Sequence, residues 1–187
     1  MKQLTKYALI TAAACAIAVI AARPAHAQSA PKTEIEAGYQ YEWAKAKGES
    51  DSTNFPAGWF VDVTGMINNM WSWVGQVDGS YHKRDGGDTE KLHNVGGGVR
   101  ASWRKNPKYT PFAQGLVGYS HFSGGSDSIN GYNIDADGGV IIPINGKWGV
   151  KVLGGYRFFR FSGDGSDSFN VNGFRFLAGV DIPVGSK

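Results

Sequence analysis

Lys147-Trp-Gly-Val-Lys-Val-Leu-Gly-Gly-Tyr-Arg-Phe-Phe-Arg-Phe-Ser162 and its continuation, Ser168-Phe-Asn-Val-Asn-Gly-Phe-Arg-Phe-Leu-Ala-Gly-Val-Asp-Ile-Pro-Val184, decide the fold of this chain. In the first half Trp148, Val150, Val152, Gly154, Tyr156 and Phe158 share one face. Gly149, Lys151, Gly155 and Arg157 share the other, and Leu153 is the one breach. In the second half Phe174, Phe176, Ala178, Val180 and Ile182 oppose Arg175, Leu177, Gly179 and Asp181. A period of two belongs to a strand whose faces meet different surroundings. The Gly/Ser/Asp-rich residues 162–167 between the halves form the loop of a hairpin.

The same plan recurs 40 residues upstream. Ser126-Asp127-Ser128-Ile129-Asn130 matches Ser166-Asp167-Ser168-Phe169-Asn170, and Gly139-Val140-x-Ile142-Pro143 matches Gly179-Val180-x-Ile182-Pro183, without a gap. The apolar positions keep their kind, Ile134 with Phe174, Ala136 with Phe176 and Val140 with Val180, whereas Asp135 stands against Arg175. One face therefore answers to a uniform solvent and the other to individual partners.

The alternation extends upstream to strands near 33–43, 58–66, 71–81, 93–103, 110–121 and 132–142, of which 110–121 is the least regular. With the terminal hairpin these make eight, each near the 9–11 residues of a tilted transmembrane strand. Tighter turns at 67–70, 104–109 and 144–146 alternate with polar or Gly/Ser-rich loops at 44–54, 83–91, 123–130 and 162–168.

Residues 1–27 read as a secretory signal peptide. Lys2 and Lys6 precede an apolar run from Ala8 to Ala22, and Ala25-His26-Ala27 supplies the small-x-small ending. Arg23 and Pro24 cut the run short of a membrane-spanning helix. Removal takes away Lys2, Lys6 and Arg23 and no acid, so the 19 basic residues fall to 16, equal to the 16 acidic ones. A neutral mature chain (28–187) argues against nucleic-acid binding, which needs a basic surplus. Cys15, the sole cysteine, leaves with the signal peptide, and no disulfide or thiol nucleophile remains.

Volume orients the faces. The interior of an eight-stranded barrel is just filled by side chains, and Trp59, Trp71, Trp73, Trp103 and Trp148 on the apolar face would overfill it. The apolar face therefore points to lipid, with aromatics at strand ends forming girdles. We expect an all-β, eight-stranded antiparallel up-and-down transmembrane β-barrel in the outer membrane of a Gram-negative-type bacterium. Its ends and tighter turns would lie on the periplasmic side and its loops outside.

The chain resembles the small eight-stranded outer-membrane barrels of the OmpA/OmpX-like kind, within the porin-like outer-membrane β-barrel domain family. Thr110-Pro-Phe-Ala-Gln-Gly-Leu-Val-Gly-Tyr119, Gly154-Gly-Tyr-Arg-Phe-Phe-Arg-Phe-Ser162 and Asn172-Gly-Phe-Arg-Phe-Leu-Ala-Gly-Val180 carry the resemblance. It implies a structural or porin-like protein and a monomer. The implied partners are outer-membrane lipids, lipopolysaccharide and, during biogenesis, the barrel-assembly machinery. Barrels of this kind usually end in an aromatic residue resembling the signal read by that machinery. This chain ends Ile182-Pro-Val-Gly-Ser-Lys187, which leaves Phe174 and Phe176 to carry such a signal.

The inward face is expected to hold a charge network of Glu36, Asp62, Asp78, Asp135, Asp137 and Asp181 with Arg100, Lys151, Arg157 and Arg175. Buried charges must pair, hydrate or neutralise, and a packed polar lumen without conductance is the expected outcome. No cofactor or metal is expected. The loops at 125–130 and 163–170 lack calcium-loop spacing, and His82 and His93 have no ligand partner at i, i+4. Two alternatives remain. His121-Phe-Ser123 with Asp135 resembles the His-x-Ser and downstream acid of the lipid A deacylases, with Asp in place of Glu and Gly124 in place of Asn. The loops at 44–54 and 83–91 are the candidates for surface adhesion or interaction.

Overall fold

The computed structural model describes residues 33–47, 52–83, 89–125, 127–145, 147–162 and 168–184. The segment read as a signal peptide, the turn residue Gly146 and the centres of three loops lie outside them. The chain forms β1 (Thr33–Ala46), β2 (Thr53–Phe55), β3 (Ala57–Met66), β4 (Trp71–Lys83), β5 (Thr89–Ser102), β6 (Thr110–Gly124), β7 (Asp127–Asn145), β8 (Trp148–Ser162) and β9 (Ser168–Val184). From β3 onward each strand pairs antiparallel with the next, and β9 returns to β1 from Thr33↔Val184 to Ala46↔Val171. β2 and β3 both pair with β1 and form one stave interrupted at Pro56, which has no N–H for the ladder. The Tyr39 hydroxyl donates to the Pro56 carbonyl there. The result is a closed eight-strand antiparallel barrel.

Side chains at the tight turns replace missing ladder bonds. Asn68 Oδ1 accepts from the backbone N–H of Met70 and of Trp71, each at 2.9 Å, and Asn106 Oδ1 accepts from Lys108 N at 2.9 Å. We refer to this as the turn end and to the opposite end as the loop end.

Several strands outrun their sequence signal. Parts of 44–54, 83–91 and 123–130, read as loops, are strand: β1 reaches Ala46, β2 occupies 53–55, β5 starts at Thr89, and β6 and β7 enclose only Gly125 and residue 126. Gly125 supplies the positive φ of that turn, 61°. Beyond the apolar band both faces turn polar, so the alternation fades while the backbone ladder continues. At the turn end β5 stops at Ser102, one residue short of the expected Trp103.

Outward side chains such as Tyr39, Val77, Val99, Tyr119, Ile134 and Phe176 are exposed, and their non-glycine neighbours in sequence are buried. The irregular strand resolves as Phe112, Gln114, Leu116 and Ser120 inside, against Ala113, Val117 and Tyr119 outside. Its pattern was blurred because two inward residues are apolar. Such breaches collect in space: Phe60, Phe112, Ile141, Leu153 and Leu177 form one cluster within the lumen. Ala44, Phe55, Leu92, Phe159 and Phe161 form a second, toward the loop end.

Candidate functional site: the charged lumen

All ten residues expected in the lumen network are buried, and they divide into two layers. Nearest the turn end, Glu36 on β1 and Asp62 on β3 are direct cross-strand partners. From β5, the Arg100 guanidinium donates through Nη1 to Glu36 Oε1 and through Nη2 to Glu36 Oε2, the latter at 2.8 Å. From β8, Lys151 Nζ donates to Glu36 Oε2 and Asp62 Oδ2, each at 2.5 Å. The charged heads of these cations lie over aromatic rings: Arg100 Cζ is 4.5 Å from the Phe112 centroid and Lys151 Nζ 5.3 Å from that of Phe60. Apolar cluster and ion layer thus pack as one body.

The middle layer is built by two arginines on adjacent strands. Arg157 Nε and Nη2 donate to the two oxygens of Asp135 at 2.8 and 2.9 Å, while Nη1 and Nη2 donate to those of Asp78, both at 2.9 Å. Arg175 Nε and Nη2 hold Asp137 at 3.1 and 2.6 Å. Gly155 makes room for this pair, because a Cβ there would stand 1.9 Å from Asp137 Oδ1. Glu42 closes the layer, accepting from Ser80 Oγ at 3.1 Å and Gln40 Nε2 at 3.3 Å.

Two glutamines join the layers. Gln76 Nε2 donates to Asp62 at 2.7 Å while its Oε1 accepts from Arg175 Nη1 at 2.6 Å. Gln114 Oε1 accepts from Arg100 Nε at 3.0 Å while its Nε2 donates to Asp137 at 3.0 Å. Neither amide was in the expected network, nor were Glu34 and Glu42. Parity along β1 already placed both glutamates beside Glu36, and reading the inward face for every polar side chain, rather than the mid-strand charges alone, would have found all four.

Acids outnumber cations in the lumen. Glu34, Glu36, Glu42, Asp62, Asp78, Asp135, Asp137 and Asp181 face Arg100, Lys151, Arg157 and Arg175, with Arg104 reaching Glu34 at the rim, 3.3 Å away. Asp181 has neither a hydrogen bond nor an ion pair among the described residues. The cross-section is filled by Arg100, Arg157, Lys151, Phe60, Leu153 and Leu177, each less than 2 % exposed.

The other candidates separate. His121 lies on the outward face, its Nδ1 bonded to Asn130 Oδ1 at 2.7 Å, whereas Asp135 points into the lumen and is held by Arg157. The barrel wall stands between them, so His121, Ser123 and Asp135 do not form one triad. His82 and His93 likewise diverge: His82 Nδ1 contacts the Asn54 carbonyl at 2.6 Å, and His93 packs edge-on to Tyr81. At the loop end a cavity of about 310 Å³ is lined mainly by Phe55, Leu92, Phe122, Phe159, Phe161 and Val171. The centres of the proposed adhesion loops lie outside the described residues.

The profile of the outer membrane protein beta-barrel domain family matches residues 11–187. Among solved structures, Neisserial surface protein A (NspA) superposes with a TM-score of 0.64 at 15 % identity, covering 84 % of this chain and 100 % of that one. Ail, the attachment invasion locus protein of Yersinia pestis, gives 0.54 at 17 %, covering 82 % and 100 %. OprG of Pseudomonas aeruginosa gives 0.56 at 12 %, covering 86 % and 99 %. At such identities the likeness is one of fold. No curated protein sequence matches the chain.

Proposed function

From the premise that this chain belongs to the outer membrane protein β-barrel domain family, we propose that it is a structural, non-enzymatic barrel of the outer membrane whose lumen passes no solute. The carrying observation is the double ion layer. Arg100, Lys151 and Arg157 each reach carboxylates on strands far around the wall, so the lumen is cross-braced where a pore would need to be open. Breaking a buried ion pair costs about 3–5 kcal/mol, and a permeating ion would have to displace several at once.

In this reading residues 1–27 direct export and the tight turns face the periplasm. The partners are the assembly machinery during insertion and the lipids of both leaflets afterwards. One feature supports lipopolysaccharide as the outer-leaflet contact. Every carboxylate with a described side chain is buried, while Lys83, Lys91 and Arg160 lie exposed near the loop end. Phosphate groups find exposed cations there, whereas the described acid of that end, Glu90, is buried.

The test is heat modifiability of protein extracted from membranes. Unboiled protein should migrate on a denaturing gel at a different position from boiled protein and fractionate with the outer membrane. Identical migration together with a soluble fraction would replace this reading with a soluble barrel. A second reading, capture of an apolar ligand at the loop end, is favoured by the cavity beside Phe159 and Phe161. Saturable binding of a fluorescent fatty acid, weakened by Leu92→Glu, would promote it.

A further inference from the structure

We propose that the turn end of the lumen is a calcium site built by Glu34, Glu36 and Asp181. One carboxylate oxygen from each lies within 4.8 Å of the others, and the three side chains come from the two strands that close the barrel, β1 and β9. Asp181 stands directly across from Glu36 in that seam. Like charges in such a pair repel, so an occupant of opposite sign between them would relieve the seam.

The second, independent observation is a set of buried acceptors and hydroxyls without partners at this place. Glu34 Oε2 and Asp181 Oδ1 accept no hydrogen bond, although the residues are only 5 % and 6 % exposed. Thr64, outside the carboxylate trio and opposite Glu34 in the β1–β3 register, is 1 % exposed, and its hydroxyl is also unpartnered. Buried polar groups are normally satisfied. Here the neighbouring cations are already engaged. Arg100 and Lys151 hold Glu36 and Asp62, Arg104 takes the other oxygen of Glu34, and the Arg100 Nη1 that serves Glu36 stands 4.0 Å from Glu34 Oε2, beyond hydrogen-bond reach. Glu36 Oε1 accepts from Arg100 alone and keeps a second lone pair for a ligand.

Charge and geometry choose the ion. In this layer Glu34, Glu36, Asp62 and Asp181 exceed Arg100, Lys151 and Arg104 by one negative charge. A donor set of carboxylates and a hydroxyl is hard, the chemistry of Ca²⁺ and Mg²⁺. Ca²⁺ accepts carboxylate oxygens in a flexible geometry, whereas Mg²⁺ demands a near-ideal octahedron and gives up its waters reluctantly, so three carboxylates held by two paired strands within 4.8 Å of one another suit calcium. The slight exposure of Glu34 and Asp181 leaves an approach from the turn end, whereas Glu36 is sealed.

The experiment is calorimetric titration of CaCl₂ into the full folded barrel in detergent, after chelator treatment, with thermal unfolding in parallel. Wild type should bind one Ca²⁺, bind Mg²⁺ at least tenfold more weakly, and unfold at a higher temperature with calcium. Asp181→Asn breaks no ion pair and should bind Ca²⁺ at least tenfold more weakly and lose the thermal shift; Thr64→Val should show a smaller loss of the same kind. Glu42→Gln alters a carboxylate in the middle layer and should bind as wild type does. Heat modifiability confirms that each variant is folded. Absence of saturable calcium binding by wild type overturns the site. So does wild-type affinity in Asp181→Asn, or an equal loss in Glu42→Gln.

Discussion

The middle and turn-end layers of the lumen each contain four carboxylates, but they are held by different cations. In the middle, two guanidinium groups grip Asp78, Asp135 and Asp137 in bidentate fashion. At the turn end, one guanidinium and one ammonium engage Glu36 and Asp62, Glu34 leans on Arg104 at the rim, and Asp181 is left over. A planar fork satisfies two acceptors per partner and fixes their orientation, whereas an ammonium acts as a compact point charge. The middle layer therefore fixes three of its four carboxylates through forks and leaves one buried carboxylate oxygen, Glu42 Oε1, without a hydrogen bond. The turn-end layer, nearer to water, leaves oxygens of two acids unbonded, Glu34 Oε2 and Asp181 Oδ1.

The contrast can be broken most forcefully from the middle. Arg157→Met leaves Asp78 and Asp135 buried without their shared fork and should destabilise the barrel by about 3–5 kcal/mol, read from urea unfolding in detergent. Lys151→Met should cost less, about 2–3 kcal/mol, because Arg100 still binds Glu36 and stands 3.6 Å from Asp62, which loses only its hydrogen-bonded cation. Equal losses would mean that the fork has no advantage over the point charge. The smallest effect belongs to Asp181→Asn. Without calcium it removes an unpaired charge opposite Glu36 and should leave stability within about 0.5 kcal/mol of wild type or raise it. A large loss in the same unfolding assay would reveal a partner for Asp181 and erase the difference between the layers.

Much of this was legible in the sequence, and the physical reason is the uniformity of the outer solvent. Ile134 and Phe174, equivalent in the two repeated hairpins, both face outward and are exposed, as an apolar surround requires of any strand. The same alternation gives the inward parity of Asp135, Arg157 and Arg175. Pairing was less legible because it depends on register and on what lies across the lumen. Arg157 meets Asp135 on the adjacent strand and Asp78 at a separation of 79 residues, and only the first is a neighbour in the sheet. Leu153 stood out in sequence as a breach of the pattern, and Phe60 is a second apolar intrusion on the inward face. In space they gather around the cations, and no single strand records that convergence. His121, Ser123 and Asp135 teach the converse: their spacing suggested one site, but twelve residues from Ser123 to Asp135 include a turn and place the acid inside the wall and the histidine outside.

The lumen's closure by two braced ion layers is tested most directly by planar-bilayer recording of the purified, heat-modifiable barrel. We expect no discrete conductance steps above the lipid background. Stable steps that scale with salt concentration and persist across preparations would contradict a packed lumen.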